Sequence, residues 1–309
     1  MTFTIISADI EPHLNWRELT AAIEKAHRLP KAEISDSFLY RRGDTLLSRA
    51  AWIDGMGALV KTASIFPDNP SQGLPSVNGG VSLFSDTDGT LQAMVDFHLV
   101  TKWKTAGDSL LAAQYLARPD SRNITLVGAG AVARSMYSAY RAAFPDASFT
   151  IWSRRFSAAA ELAAELPDAV AAQDLEQAVA QADIICTATM STTPVIFGEW
   201  LHPGQHLDLI GAYRPDMREV DDIALQRAAL FVDSRDATLD HIGELKDPLS
   251  RNVIDRSNIR ADYYDMASGL FKRPSRDAIT ICKNGGGAHL DLMTCHYIMS
   301  KWHERIVDC

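Results

Sequence analysis

The stretch that decides the fold is ITLVGAGAVARSMYSAY, Ile124–Tyr140, followed by FTIWSRR at Phe149–Arg155. A short, mostly apolar run, Ile124–Val127, leads into Gly128, and a helical pattern starts at Ala131. Gly128, Gly130 and Ala133 therefore form G-x-G-x-x-A between a predicted strand and a predicted helix, the setting that gives this motif meaning. The first glycine permits a tight turn, the second lets a pyrophosphate approach the backbone, and the alanine packs helix against strand. The first helical residues, Ala131 and Val132, add free N–H groups and the positive end of the helix dipole.

The next strand ends in Ser153, Arg154 and Arg155. A carboxylate at this point would accept hydrogen bonds from a ribose 2′-OH and repel a 2′-phosphate. A serine and two arginines instead suit the phosphate, so the pattern predicts NADPH, with NADH as the second choice.

Working outward, short apolar strands alternate with helices. The strands are Ile124–Val127, Phe149–Trp152, Ala169–Ala172, Ile184–Thr187, His206–Ile210 and Leu230–Val232. The helices between them are Ala131–Ala143, Ala158–Leu166, Leu175–Ala180 and Asp222–Ala228. This alternation predicts an α/β protein with a doubly wound parallel sheet of the Rossmann type, spanning 119–289. Residues 1–118 read as a smaller α+β domain. It has a helix at Trp16–His27, strands at Phe38–Trp52, Ala58–Ile65, Val81–Phe84 and LQAMVD, and a closing helix at Asp108–Ala117. A last helix, Leu290–Trp302 within 290–309, is expected to pack back on that domain.

The chain has 309 residues, 47% hydrophobic and 22% charged, with a net charge of −9. Those values suit a globular protein of two domains and argue against a nucleic-acid binder, which is ordinarily basic. Cys186, Cys282, Cys295 and Cys309 show no zinc-ligand spacing, and no metal is expected. They read as three buried residues and one free terminal thiol. No leader pattern or 18-residue apolar run is present, which points to the cytoplasm and away from a membrane partner.

Three cations stand in apolar surroundings: Arg49 in TLLSRAAW, Lys61 in ALVKTASIF and Lys104 in TKWKTAGDS, just ahead of the predicted helix. A buried cation needs a partner, and a substrate carboxylate is one candidate. His98, His289 and His296 read as partly buried, hydrogen-bonded side chains.

With VKTASIFPDNP, KTAGDS–LLAAQYLARPD, VGAGAVA and LIGAYRPDMREVDD in this order, the chain resembles the ornithine cyclodeaminase/mu-crystallin family. The resemblance implies a homodimer, with substrate cations and dimer contacts in the first domain. It implies hydride transfer between a nicotinamide and the α-carbon of an amino or imino acid. By this resemblance Lys61 and Lys104 bind the substrate carboxylate, Lys104 standing where the family usually has arginine. Arg49 is the candidate to replace an upstream arginine that has no match. Lys61 would also supply the proton for the imine nitrogen. Ser76, Lys104, Thr105, Thr187 and Tyr213 join the cofactor set, and Asn284 and Gly285 close over nicotinamide and substrate. Cyclodeaminases carry an aspartate where this chain has Gly211-Ala212-Tyr213. That departure, with KNGGGAHLDLMT at Lys283–Thr294, favours a reductase of cyclic imino acids such as Δ1-pyrroline-2-carboxylate or Δ1-piperideine-2-carboxylate. Ornithine cyclodeaminase, alanine dehydrogenase and a non-catalytic NADPH-binding protein remain as alternatives.

Overall fold

The computed structural model describes residues 3–307. Two compact units emerge: Met1–Lys104 with Gly287–Cys309, and Thr105–Gly286. The sequence places the divisions at 118/119 and 289/290. The earlier first boundary has a clear cause. Ser109 Oγ bonds Tyr140 Oη at 2.9 Å, and Tyr263 Oη donates to the Asp108 carboxylate at 2.9 Å, which binds 105–116 into the second unit. Cys309 lies outside the described residues.

The first unit contains β1 (Thr4–Ile6), α1 (Trp16–Ala26), β2 (Glu33–Arg41), β3 (Asp44–Ile53), β4 (Gly57–Ile65), β5 (Val77–Phe84) and β6 (Leu91–Asp96). Helix α2 (Phe97–Leu116) starts here. The sheet order is β1-β6-β5-β4-β3-β2, an antiparallel meander with β1 added parallel to β6. The expected strand Phe38–Trp52 is in fact most of a hairpin. Arg42 (φ 50°) and Gly43 (φ 94°) turn the chain, and two positive φ values are what a two-residue loop of this twist requires. Arg-Gly is a weak signal for that turn, so the break was invisible in the pattern.

Helix α2 also begins eleven residues before the expected Asp108. Asp96 makes the start by accepting the Leu99 N–H at 2.7 Å. Lys104 and Thr105 consequently sit inside the helix rather than ahead of it. The β-branched Val100, Thr101 and Thr105, and Gly107, conceal its first turns in a propensity reading.

The second unit continues with β7 (Asn123–Val127), α3 (Ala131–Ala143), β8 (Ser148–Trp152), α4 (Phe156–Glu165), β9 (Ala169–Ala172), α5 (Leu175–Ala180) and β10 (Ile184–Thr187). Then come β11 (His206–Leu209), α6 (Asp222–Arg227), β12 (Ala229–Val232), α7 (Arg235–Thr238), α8 (Gly243–Ser250), β13 (Ile259–Ala261) and β14 (Thr280–Lys283). Helix α9 (Ala288–Val307) returns to the first unit, where it packs on α1, β3 and β4. The eight strands pair in parallel throughout, in the order β13-β12-β14-β11-β10-β7-β8-β9.

The fold is therefore the expected α/β Rossmann type, with two strands more than the sequence reading found. β14 was missed because TICK ends in a lysine that the structure buries completely. The strand order reverses between β7 and β10, and ligands of such sheets bind beyond the strand C-termini at that reversal.

Replacing Asp96 with alanine removes the cap of α2. Chemical denaturation is expected to show a loss of about 1 kcal/mol with the fold retained.

Candidate functional site

In β4 the side chains alternate, and Lys61 falls on the same inward face as Leu59 and Ala63. Its ammonium is thus built into core, and the structure supplies the partner. Nζ donates to Asp291 Oδ1 of α9 at 2.8 Å, and the ammonium lies 4.9 Å from the Phe97 ring centroid. Lys61 is 6% exposed and Asp291 0%. Strand register places Arg49 opposite Lys61 and Asp36 opposite Arg49, so the three share one face of the sheet. Arg49 already holds a carboxylate: Nε and Nη2 donate to Asp36 at 3.2 and 2.7 Å. The bidentate fork is turned to Asp36, so a substrate carboxylate would meet an arginine that is already paired.

Burial alone would raise the Asp291 carboxyl. Lys61, Lys104 and Arg49 together outweigh that and hold it below the usual carboxylate range. Lys104 is likewise buried, on α2. His289, two residues before Asp291, is pushed well below the ordinary histidine value by burial, then by His27, Lys104 and Arg49, against the pull of Asp291. Burial drives His27 to about 4. Both rings are neutral at physiological pH, so Asp291 is the local anion. Asp291 has no sequence signal beyond the lysine's need for some carboxylate. His296 is mostly buried, whereas His98 is exposed, contrary to expectation. Ser76, half-buried in this unit, receives the Phe66 N–H on its carbonyl at 2.7 Å.

The second unit builds the dinucleotide turn as the spacing predicts. Gly128 has φ +130°, and a Cβ there would stand 2.8 Å from the Ala188 carbonyl oxygen. Its N–H donates to the Trp152 carbonyl at 2.8 Å, which brings the end of β8 to the turn. Gly130 caps α3 with no side-chain hydrogen bond, and a Cβ on it would meet only open space. The first-turn donors at Ala131 and Val132 are exposed, and Ala133 is buried against the sheet. Space and donors thus fit a pyrophosphate. Ser153 leaves β8 half-buried, and Arg154 and Arg155 are exposed. Among the described residues, neither guanidinium has an ion pair.

Other expected contacts are placed differently. Thr187 is wholly buried, and its hydroxyl donates to Glu219 Oε2 at 2.7 Å, so it supports the site from within. Asn284 is buried, and its Nδ2 donates to Asp108 Oδ1 at 3.0 Å. Gly285 is pressed against α7, where a Cβ would lie 2.7 Å from Thr238 Cγ2. The next N–H, of Gly286, donates to Asp233 at 2.7 Å. The Asn284–Gly285 segment is therefore anchored, with the Asn284 Nδ2 directed inward to Asp108. Thr105 is half-buried inside α2, and Tyr213 is exposed beyond β11.

Beneath these loops lies a polar cluster that the sequence reading missed. Lys283 Nζ donates to the carbonyls of Leu209 (2.6 Å) and Asn284 (2.7 Å). Burial lowers its pKa, opposed by Glu219, Glu244, Asp233 and Asp108. Burial, then the charge of Glu219, raises Glu244 to about 7. Cys186, Cys282 and Cys295 are buried free thiols, each raised well above the usual value by burial. Among the described residues no His, Cys, Asp or Glu group is arranged to hold a metal, and no helix is long and apolar enough to cross a membrane.

A profile of the ornithine cyclodeaminase/mu-crystallin family matches residues 40–305, and the chain belongs to that family. It is 49% identical to the Δ1-pyrroline-2-carboxylate reductase of Paracoccus denitrificans, over 94% of both chains. Its fold is similar to the Thermococcus litoralis Δ1-pyrroline-2-carboxylate reductase in complex with NADH and L-proline, with TM-score 0.89, 25% identity and 98% of each chain covered. An archaeal alanine dehydrogenase dimer with bound NAD is also similar, with TM-score 0.89, 28% identity, and 99% of this chain and 97% of that one covered.

Two substitutions separate buried from exposed charge. Asp291→Ala leaves the Lys61 ammonium buried without its carboxylate and is expected to cost about 3–5 kcal/mol in denaturant titrations. Asp36→Ala, at a partly exposed pair, is expected to cost under about 1 kcal/mol. Glu244 gives a pH test. Its folded pKa of about 7 exceeds the unfolded value of 4.5, so the folded state binds the extra proton between them. Stability from this group is full below the unfolded value and is lost as pH rises through about 7. Glu244→Gln is expected to remove roughly 3 kcal/mol of the decline between pH 4 and pH 8.

Proposed function

We propose that this member of the family is an NAD(P)H-dependent ketimine reductase that converts Δ1-pyrroline-2-carboxylate to L-proline, and Δ1-piperideine-2-carboxylate to L-pipecolate. The observation that carries the reading is the buried Lys61–Asp291 pair with Arg49 and Lys104 around it. It stands in a chain 49% identical to a pyrroline-2-carboxylate reductase along nearly its whole length. The absence of an aspartate at Gly211-Ala212-Tyr213 supports reduction over cyclodeamination.

In this reading Lys61 and Lys104 neutralise the substrate carboxylate and orient the planar ring. When bound, the nicotinamide supplies the hydride, which adds to the imine carbon. Lys61 gives a proton from Nζ to the imine nitrogen, and solvent restores it. Asp291 holds Nζ in position. Ala131 and Val132 donate N–H groups to the pyrophosphate, and Ser153, Arg154 and Arg155 face the 2′-phosphate of NADPH. The exposure of Arg154 and Arg155, with no ion pair among the described residues, supports preference for NADPH over NADH. A homodimer suits the outer strand β2, exposed at all nine positions with Phe38, Leu39 and Tyr40 on it.

The test is oxidation of NADPH and of NADH with Δ1-pyrroline-2-carboxylate, with pyruvate plus ammonia in parallel. Turnover of the cyclic imine, faster with NADPH, is expected. Arg154→Ala/Arg155→Ala should raise the KM for NADPH about 10–100-fold and leave NADH nearly unchanged. Turnover of pyruvate and ammonia alone would instead identify an alanine dehydrogenase.

A further inference from the structure

Glu219 stands outside the residues with which the proposed reaction is written, yet it is the most heavily bonded side chain near the dinucleotide turn. It is 0% exposed, and both oxygens accept hydrogen bonds. Oε2 takes the Thr187 hydroxyl at 2.7 Å and the N–H groups of Gly211 and Ala212 at 2.8 and 3.2 Å. Oε1 takes the Thr189 N–H at 2.8 Å and its hydroxyl at 2.7 Å. These donors belong to the ends of two neighbouring strands, β10 and β11. One carboxylate therefore ties together the two loops beside the strand-order reversal.

The loops in turn shape the glycine turn. Ala188, between the two threonines, donates its N–H to the Val127 carbonyl at 2.8 Å. Its own carbonyl is the atom that forbids a Cβ on Gly128. Gly211 is held as tightly: a Cβ there would stand 2.1 Å from the Thr189 carbonyl oxygen and 2.4 Å from Glu219 Oε1. Behind Glu219, the Glu244 carboxylate accepts the N–H groups of Glu219 (2.7 Å) and Val220 (3.1 Å). The order of support runs from Glu244 to the backbone of Glu219, then to the loops after β10 and β11, and so to Gly128.

The geometry points to Glu219 as a positioning residue for the dinucleotide: it clamps the 187–189 and 211–212 segments against the glycine turn, so the phosphate-binding shape stands before the cofactor arrives. This rests on the reading that the second unit binds a nicotinamide dinucleotide. All five partners are donors, so the role demands a carboxylate. A glutamine would turn its own N–H₂ toward donors on one side.

The experiment is a titration of the purified full-length protein with NADP+, read by intrinsic fluorescence, for wild type, Glu219→Gln and Ile254→Ala. Ile254 is buried in the core of the same unit, its apolar side chain can make no hydrogen bond to the clamp, and it serves as a control for stability loss. Glu219→Gln is expected to weaken NADP+ binding by about tenfold or more, with the KM for the imine at saturating NADPH within about twofold. Ile254→Ala should bind NADP+ as wild type does, at a temperature where it is folded. If Glu219→Gln does not fold, Thr187→Val removes one donor while keeping the shape, and should weaken binding about threefold. Unchanged affinity in the clamp variants, or equal weakening in Ile254→Ala, would overturn the assignment. Wild type that binds neither NADP+ nor NAD+ would overturn the cofactor reading itself, and the clamp with it.

Discussion

The cost of taking an ammonium out of water governs how this chain is arranged. Lys61 occupies a position that β-alternation assigns to core, between Leu59 and Ala63. An unpaired charge there would cost several kcal/mol, so a carboxylate must be brought to it. The carboxylate comes from Asp291, 230 residues further along the chain. That distance gives a physical reason for the return of α9 to the first unit after the whole Rossmann sheet has been built. Arg49 and Lys104 add positive charge, and they keep Asp291 ionised despite complete burial.

The second unit faces the same cost under a different constraint. An all-parallel sheet covered on both faces has largely apolar strands, and the polar groups it buries must find partners within the unit. Lys283 ends β14, and its Nζ donates to two backbone carbonyls among Glu219, Glu244, Asp233 and Asp108. Several of these carboxylates have backbone N–H groups as partners. Glu244 takes those of Glu219 and Val220, and Asp233 takes those of Ser234 and Gly286. Backbone donors cannot move away without moving the loop. A buried acid that accepts them is therefore a structural determinant of loop shape, and loop shape is what a phosphate recognises.

The fold was legible because its signals are local. The glycine spacing, the short apolar strands and the helix between each pair are read within windows of a dozen residues. Arg42-Gly43 and the start of α2 at Phe97 escaped because an unusual turn pair and β-branched helix residues contradict local propensity, and tertiary packing prevails over it. The site divided along similar lines. Backbone roles, as at Gly128 and Gly130, follow from spacing. Side-chain roles depend on partners far away in sequence. Thr187 and Asn284 have the right chemistry for ligand contact, yet the Thr187 hydroxyl goes to Glu219 and the Asn284 Nδ2 to Asp108. Asp291 carried no signal of its own, because a lysine in a strand announces that a carboxylate is required without saying which.

The cations separate into two kinds, and the difference bears on what each can recognise. Arg49 and Lys61 are already paired with Asp36 and Asp291, and Lys61 is nearly out of water. A ligand anion meeting Lys61 joins an ordered low-dielectric pair, where charge interactions are strong and little screened. Positions are fixed beforehand, as a group that must orient a small planar molecule requires. Arg154 and Arg155 are exposed at the end of β8, in high dielectric, with flexible side chains. Any phosphate they hold is bound through contacts that salt screens and that cost side-chain entropy. Such contacts can discriminate between two cofactors that share every other feature, but they contribute little to placing the nicotinamide. Orientation must then come from the rigid part of the unit, the glycine turn and the loops that Glu219 holds beside it.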